Sequence, residues 1–253
     1  MKFSAISAAA SIPSVLAAPG PGRPSDRLAA RQVQQPWAGA VQQGQGPSYV
    51  TGTVRVPRIA GQPSRSAVAA WVGIDGLRCR RAILQTGLSF YGDGAVVPWY
   101  EWWPAPSHAY PGPAFRASPG DLVRMSVHAW SATSGNTTLE NLSTGQVVAR
   151  ELYGQAPLCG TDADFVLEDF GDYTGGHVPL VNFGEIDIWN TWAYGSSGWV
   201  GAEGASIVNL EIDNRVRSRC GSNANGVRIG QGVDDSSAGR DAGLHVKRLL
   251  GRG

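Results

Sequence analysis

The strongest constraint on this chain is a recurrence of short runs in which apolar residues alternate with polar or small ones, separated by Gly, Pro, Asn, Asp and Ser. Alternation with a period of two is what a strand half-buried in a sheet requires, because successive side chains point to opposite faces. Runs of this kind fall at 48–56, 67–74, 82–90, 99–103, 122–130, 137–142, 147–152, 164–170, 185–189 and 206–212. Gly135-Asn136 and Asp213-Asn214 lie between runs, where hairpin turns are expected. No window carries a convincing helical stripe. Charged residues make up only 16%, against 34 Gly and 16 Pro, a composition poor in the residues that build long helices. The pattern predicts an all-β chain folded as an antiparallel sandwich, and the length suits one such domain.

The ends read differently. Lys2 precedes a small-residue and apolar run, 3–16, which closes on Ala17-Ala18 before Pro19. This is the layout of an export signal, assigned to 1–18, and the run is too short to span a bilayer. Residues 19–35, rich in Pro, Gly and Arg, read as a propeptide or linker. The sandwich domain is placed at 36–220. From 221 to 253 the pattern fades into Gly, Asn, Ser, Asp and Arg and is read as a loose tail, with Arg215, Arg217 and Arg219 where a closing apolar strand is expected. Three cysteines, Cys79, Cys159 and Cys220, fit an exported protein with one disulfide and one spare thiol, and arithmetic alone does not choose the pair. Asn136 and Asn141 head glycosylation triplets. A net charge of +1 gives no ground for a nucleic-acid partner.

Familiar catalytic patterns are missing. The chain has no Asp-Thr-Gly or Asp-Ser-Gly pair, no G-x-S-x-G elbow, no H-E-x-x-H and no zinc-ligand spacing. His108, His128, His177 and His245 sit in unrelated contexts. Three strands nevertheless carry polar groups in suggestive places. Gln85 falls on the face opposite Leu84 and Leu88, and Glu168 opposite Phe165 and Leu167. Trp71 and Asp75 share a face, with Gly73 leaving room between them. Taken singly, each is the polar side of a half-buried strand.

In order, Trp37-Ala-Gly, Tyr49-Val-Thr-Gly-Thr, Ala70-Trp71-Val-Gly-Ile-Asp75-Gly76, Ile83-Leu-Gln85-Thr-Gly, Trp99-Tyr-Glu101-Trp-Trp-Pro104, Glu140 to Gln146, Leu158-Cys159 and Glu168-Asp-Phe170 resemble the fungal glutamic peptidases over roughly 37–190. The resemblance implies two antiparallel sheets in a concanavalin-like jelly-roll sandwich, with a substrate groove on the concave face. It implies a secreted acid endopeptidase acting on polypeptides as a monomer, with no cofactor, metal or membrane partner. Gln85 and Glu168 fall on the family's catalytic pair. Trp37, Trp71, Asp75 and Glu101 fall on its supporting residues, and Cys79 and Cys159 on its disulfide. In departure from the family, Asp164-Phe165 stands where Glu-Trp is common.

The chemistry suits the side chains. A glutamate takes a proton from water and returns it to the leaving amine, and with an ordinary pKa of about 4.3 it would work at about pH 2–5. A glutamine does not titrate and offers N–H groups to a developing oxyanion. Trp37, Trp71, Trp99 and Trp103 are expected to wall the groove. A competing motif, Gly184-Glu185-Ile-Asp187-Ile-Trp189-Asn190, is similar to the catalytic strand of laminarinase-type glycosidases but lacks the final acid that would protonate the leaving sugar. A lectin-like binding module is the third reading.

Overall fold

The computed structural model describes residues 33–44, 46–171 and 178–232. In chain order its strands are β1 (Val33–Gln35), β2 (Trp37–Gln43), β3 (Tyr49–Arg55), β4 (Ala67–Ile74), β5 (Ile83–Tyr91) and β6 (Val96–Trp103). They continue with β7 (His108–Ala109), β8 (Leu122–Ser131), β9 (Ser134–Asn141), β10 (Val147–Leu152), β11 (Asp162–Glu168) and β12 (Glu185–Gly195). Then come β13 (Gly198–Gly201), β14 (Ser206–Val208), β15 (Glu211–Ile212), β16 (Arg215–Val216), β17 (Ser218–Asn223) and β18 (Gly226–Gln231). No helix occurs among the described residues.

Two large antiparallel sheets dominate. The first runs β14-β2-β11-β4-β5-β6-β7, and the second β10-β9-β8-β3-β12-β18-β17 with β13 on the flank of β12. A small sheet, β1-β15-β16, stands apart from both. The inner faces bury Val68, Ala70, Val72 and Ile74 of β4 against Val50 and Val54 of β3, Met125 of β8 and Ile188 of β12. The sheets meet closely: a Cβ built on Gly52 of β3 would lie 3.1 Å from Val72 Cγ1. β4 is buried along its whole length, on both faces. Its alternate residues Ala69 and Trp71 belong to a second apolar layer with Trp37, Val41, Trp99 and Val166, on the far side of the seven-stranded sheet. That second layer floors the site.

The disulfide joins Cys79 to Cys159, 80 residues apart, and leaves Cys220 free. In the loop-entropy account a closure of that length is worth about 4–5 kcal/mol.

Several expectations need correction. The expected tail from 221 begins inside β17, and β18 buries Val227 and Ile229 in the core while Arg228 faces out. A strand with two inward apolar residues among Gly, Arg and Gln was too weak a pattern to stand out. β18 therefore closes the sheet against β12, and the arginines that obscured the closing strand lie before it. Residues 33–35 of the expected linker form β1, paired with β15. Gly135 and Asn136 lie within β9, because the chain turns three residues earlier, at Ala132-Thr133. Asp213-Asn214 is a turn, with φ of 53° and 57° at its two residues. The export signal and residues 233–253 lie outside the described residues.

Candidate active site

Sheet register brings the site together. Across the outer face of the seven-stranded sheet, Trp37, Glu168, Ala69, Ser89 and Val97 form one row. The next contains Gly39, Val166, Trp71, Gly87 and Trp99, and the third Val41, Asp164, Gly73, Gln85 and Glu101. Period two puts all three rows on one face, since neighbouring rows are two residues apart on every strand. Gln85, Glu101, Glu168, Trp37, Trp99 and Trp103 line a single cavity of about 650 Å³.

Trp71 is its floor and not, as the sequence suggested, one of its walls, for its side chain is wholly buried. Two glycines make room for it. A Cβ on Gly87 would lie 2.6 Å from Trp71 Cβ, and one on Gly73 would lie 2.9 Å from Trp71 Cζ3 and 3.2 Å from Gln85 Cβ. The indole therefore extends over Gly73, while its Nε1 donates to Glu168 Oε2 at 2.9 Å. Trp37 stacks edge-on against it, centroids 4.9 Å apart, and its side chain also hydrogen-bonds Glu168.

Gln85 is 5% exposed. Its Nε2 donates to Glu101 Oε2 at 2.6 Å, while Oε1 is buried without a partner. Trp99 Nε1 is likewise buried and unpartnered. Neither Glu101 nor Glu168 has a cation beside it among the described residues. Burial raises the pKa of Glu168 to about 7, against the opposing pull of the Trp37 and Trp71 donors. Burial also raises Glu101 to about 7, aided by the charge of Glu168 and opposed by the Gln85 hydrogen bond. Two neighbouring carboxyls thus hold protons far above the ordinary carboxylate range.

Asp75 stands at the end of β4 with φ of 69°, away from the cavity. Its carboxylate accepts from the backbone N–H of Cys159 (2.6 Å), Gly160 (2.9 Å) and Thr161 (2.7 Å) and from Thr161 Oγ1 (2.9 Å). It therefore anchors the segment that leads into β11. Asp75 also clusters with the two cystine sulfurs, but these are bonded to each other and its own oxygens are occupied, so no ligand atom is left for a metal. Asp164 was not singled out from sequence, although it shares the parity of Glu168. It is fully buried, neither oxygen has a partner, and burial beside Asp162 and Asp75 raises its pKa strongly.

Other candidates lie elsewhere. Glu185 and Asp187 of the glycosidase-like strand face outward from the opposite sheet, where Arg228 contacts them at 3.5 and 3.1 Å. Asn141 is buried, and its Nδ2 donates to Arg116 O and Asp121 Oδ2, so the folded chain has no free amide there for a glycan. Asn136 is half-buried within β9. His108 stacks on Tyr100, and His128 lies on the opposite sheet.

The Peptidase A4 family matches residues 35–230. Scytalidopepsin B of Scytalidium lignicola is 39% identical over 196 residues, 74% of each chain. Aspergillopepsin-2 of Aspergillus niger is 37% identical over 206 residues, 71% of each. Among solved structures, scytalido-glutamic peptidase with a transition state analog inhibitor superposes with a TM-score of 0.75 at 36% identity, covering 79% of this chain and 100% of that one. Aspergilloglutamic peptidase from Aspergillus niger gives 0.62 at 32% identity, covering 66% and 99%.

Proposed function

The chain belongs to the Peptidase A4 family and is a peptidase, and from that premise we propose that it is an exported endopeptidase whose chemistry rests on Gln85, Glu168 and Glu101. The observation that carries this reading is the pair of half-buried carboxyls, with no cation beside them among the described residues, sharing one aromatic-walled cavity with Gln85, which hydrogen-bonds Glu101. The ionised Glu168 accepts a proton from the attacking water, a C–O bond forms at the scissile carbonyl, and the carbonyl oxygen becomes an oxyanion. Glu168 then returns the proton to the departing amine as the C–N bond breaks.

The oxyanion needs a donor, and the orientation of the Gln85 amide decides whether one is present. When Glu101 is ionised it captures Nε2, and the acceptor Oε1 is left over, the wrong group for a negative oxygen. When Glu101 is protonated, its O–H donates to Oε1 and the rotated amide turns Nε2 toward the substrate. The working state therefore carries one proton on the pair, on Glu101. Two indole donors at Glu168, against a single amide at Glu101, favour placing the charge on Glu168. Activity is greatest near pH 7, where the pair carries one proton; it falls at higher pH, where the second proton leaves, and falls below about 7, where both carboxyls become protonated. The sequence-based window of pH 2–5 rests on an ordinary carboxyl; burial moves both of its edges toward neutrality.

The N-terminal apolar run and the disulfide support export. The test is digestion of a denatured protein in mild acid by wild type, Glu168→Gln and Gln85→Ala. Equal cleavage by all three removes the catalytic assignment.

A further inference from the structure

The outer face of the eight-stranded sheet, on the other side of the molecule from the cavity, carries a line of touching rings. Tyr194, Trp199, Tyr49, His128, Trp130 and Tyr153 follow one another with centroid spacings of 5.1, 5.8, 6.1, 5.9 and 5.7 Å. Trp199 is 58% exposed, Tyr153 61% and Trp192 44%. Large rings in water are costly, and a connected row of them marks a contact surface.

Register shows what lies beside the rings. Tyr194, Tyr49 and His128 form one row, and two residues along each strand lies a row of small or hydroxyl side chains: Thr51, Ser126 and Thr138, ended by Trp192. Two residues further comes Arg124 beside Glu140, joined by a two-pronged hydrogen bond. The result is a trough that crosses the strands, with rings on one side, hydroxyls along the bottom and a coplanar donor–acceptor pair on the other. It includes a pocket of about 450 Å³ between Trp192, Trp199 and the Arg124–Glu140 pair.

We propose that this trough is a second binding site, for a neutral β-linked polysaccharide, separate from the peptidase cavity. A pyranose with equatorial substituents has a flat C–H face that packs on an indole and a rim of hydroxyls that both donate and accept. The trough offers these partners in that order. Its charges cancel within the Arg124–Glu140 pair, which suits an uncharged ligand. An extended peptide gains little here, since β3 is flanked by β8 and β12 and its backbone groups are already paired. The site would hold the peptidase on a glycan-rich matrix while its cavity faces the opposite way.

The experiment measures retention of the full chain on insoluble β-1,3-glucan, cellulose and chitin, for wild type, Trp199→Ala and Trp192→Ala/Trp199→Ala. Cleavage of a soluble unfolded protein serves as the control for folding. The expected result is retention of wild type on at least one of these polymers, and a loss of about tenfold in affinity in the double variant with soluble cleavage unchanged. If the double variant loses soluble cleavage, the exposed single Trp199→Ala carries the comparison, with a smaller loss expected. No retention of wild type on any of the three polymers, or retention equal in wild type and variants, overturns the proposal. A dimer in solution that the double substitution dissolves assigns the face to a second copy of the chain and overturns it too.

Discussion

The two outer faces of this sandwich use the same kinds of residue in opposite ways. Both present tryptophans, and both place glutamates on strands at alternating positions. On the seven-stranded sheet Glu101 and Glu168 sit in a cavity with no cation beside them among the described residues, and desolvation raises the pKa of each to about 7. On the eight-stranded sheet Glu140 is held by Arg124, which lowers its pKa, while Glu185 and Asp187 lie beside Arg228. A carboxylate that an arginine keeps ionised is a poor proton carrier, whereas a desolvated one is poised to gain and lose a proton. On the reading proposed above, the difference separates a face suited to proton transfer from one suited to contact.

The sharpest way to break this comparison is to remove the proposed oxyanion donor. Gln85→Ala should lower kcat by about 10²–10³ with little change in KM, while Asp187→Asn leaves both unaltered in the same assay. Comparable losses in the two variants would erase the distinction between the faces. Stability should separate them next. A carboxyl whose folded pKa is raised contributes fully below its unfolded pKa, and that contribution is lost as pH rises through the folded value. For Glu101 and Glu168, with shifts from 4.5 to about 7, each loss amounts to about 3 kcal/mol. Thermal melts should therefore show a protein more stable at pH 4 than at pH 7. Asp164→Asn should flatten that slope, because the amide stays neutral; an unchanged slope would mean that Asp164 does not carry its proton in the folded state.

A smaller effect concerns the amide switch. In Glu101→Gln the new side chain donates to Gln85 Oε1 at every pH, so activity at pH 8 should exceed that of wild type by about tenfold, one unit above the lost titration. A pH–rate profile whose alkaline limb is unmoved would rule out Glu101 as its source. The least effect is expected on the contact face, where Arg228→Ala should change stability by under about 1 kcal/mol, because the ion pairs there are solvent-exposed.

Much of the chemical face was legible in the sequence because period two is a robust signal where one face of a strand meets a core. The run at 67–74 matches β4 to the residue, and Gln85 and Glu168 lie on the faces that their own runs, 82–90 and 164–170, assign to them. What parity does not reveal is depth. Trp71 and Trp99 share a row, yet one is the floor and the other lines the cavity, because Gly73 and Gly87 let the first indole lie flat. Nor does it reveal burial of a carboxyl: Asp164 reads like any outward acid until neighbouring strands cover it. The trough is invisible in the sequence because its rings come from four different strands and the segment after β10, brought side by side only by sheet order. The closing strand is faint in the sequence because two apolar residues, Val227 and Ile229, are too few to signal against an Arg- and Gly-rich background.

Asp75 carries one further implication. In a sheet, a slip of one residue turns every side chain to the other face, so a slipped β11 would offer Leu167 to the cavity and send Glu168 into the core. Asp75 donates its own N–H to Asp162 O at 2.9 Å and its carboxylate grips Cys159, Gly160 and Thr161, while the cystine ties the segment after β4 to the same entry into β11. The slipped alternative keeps a ladder of backbone hydrogen bonds but loses these contacts, which therefore add to core burial in fixing the register. A residue outside the cavity thus selects which side chain faces into it.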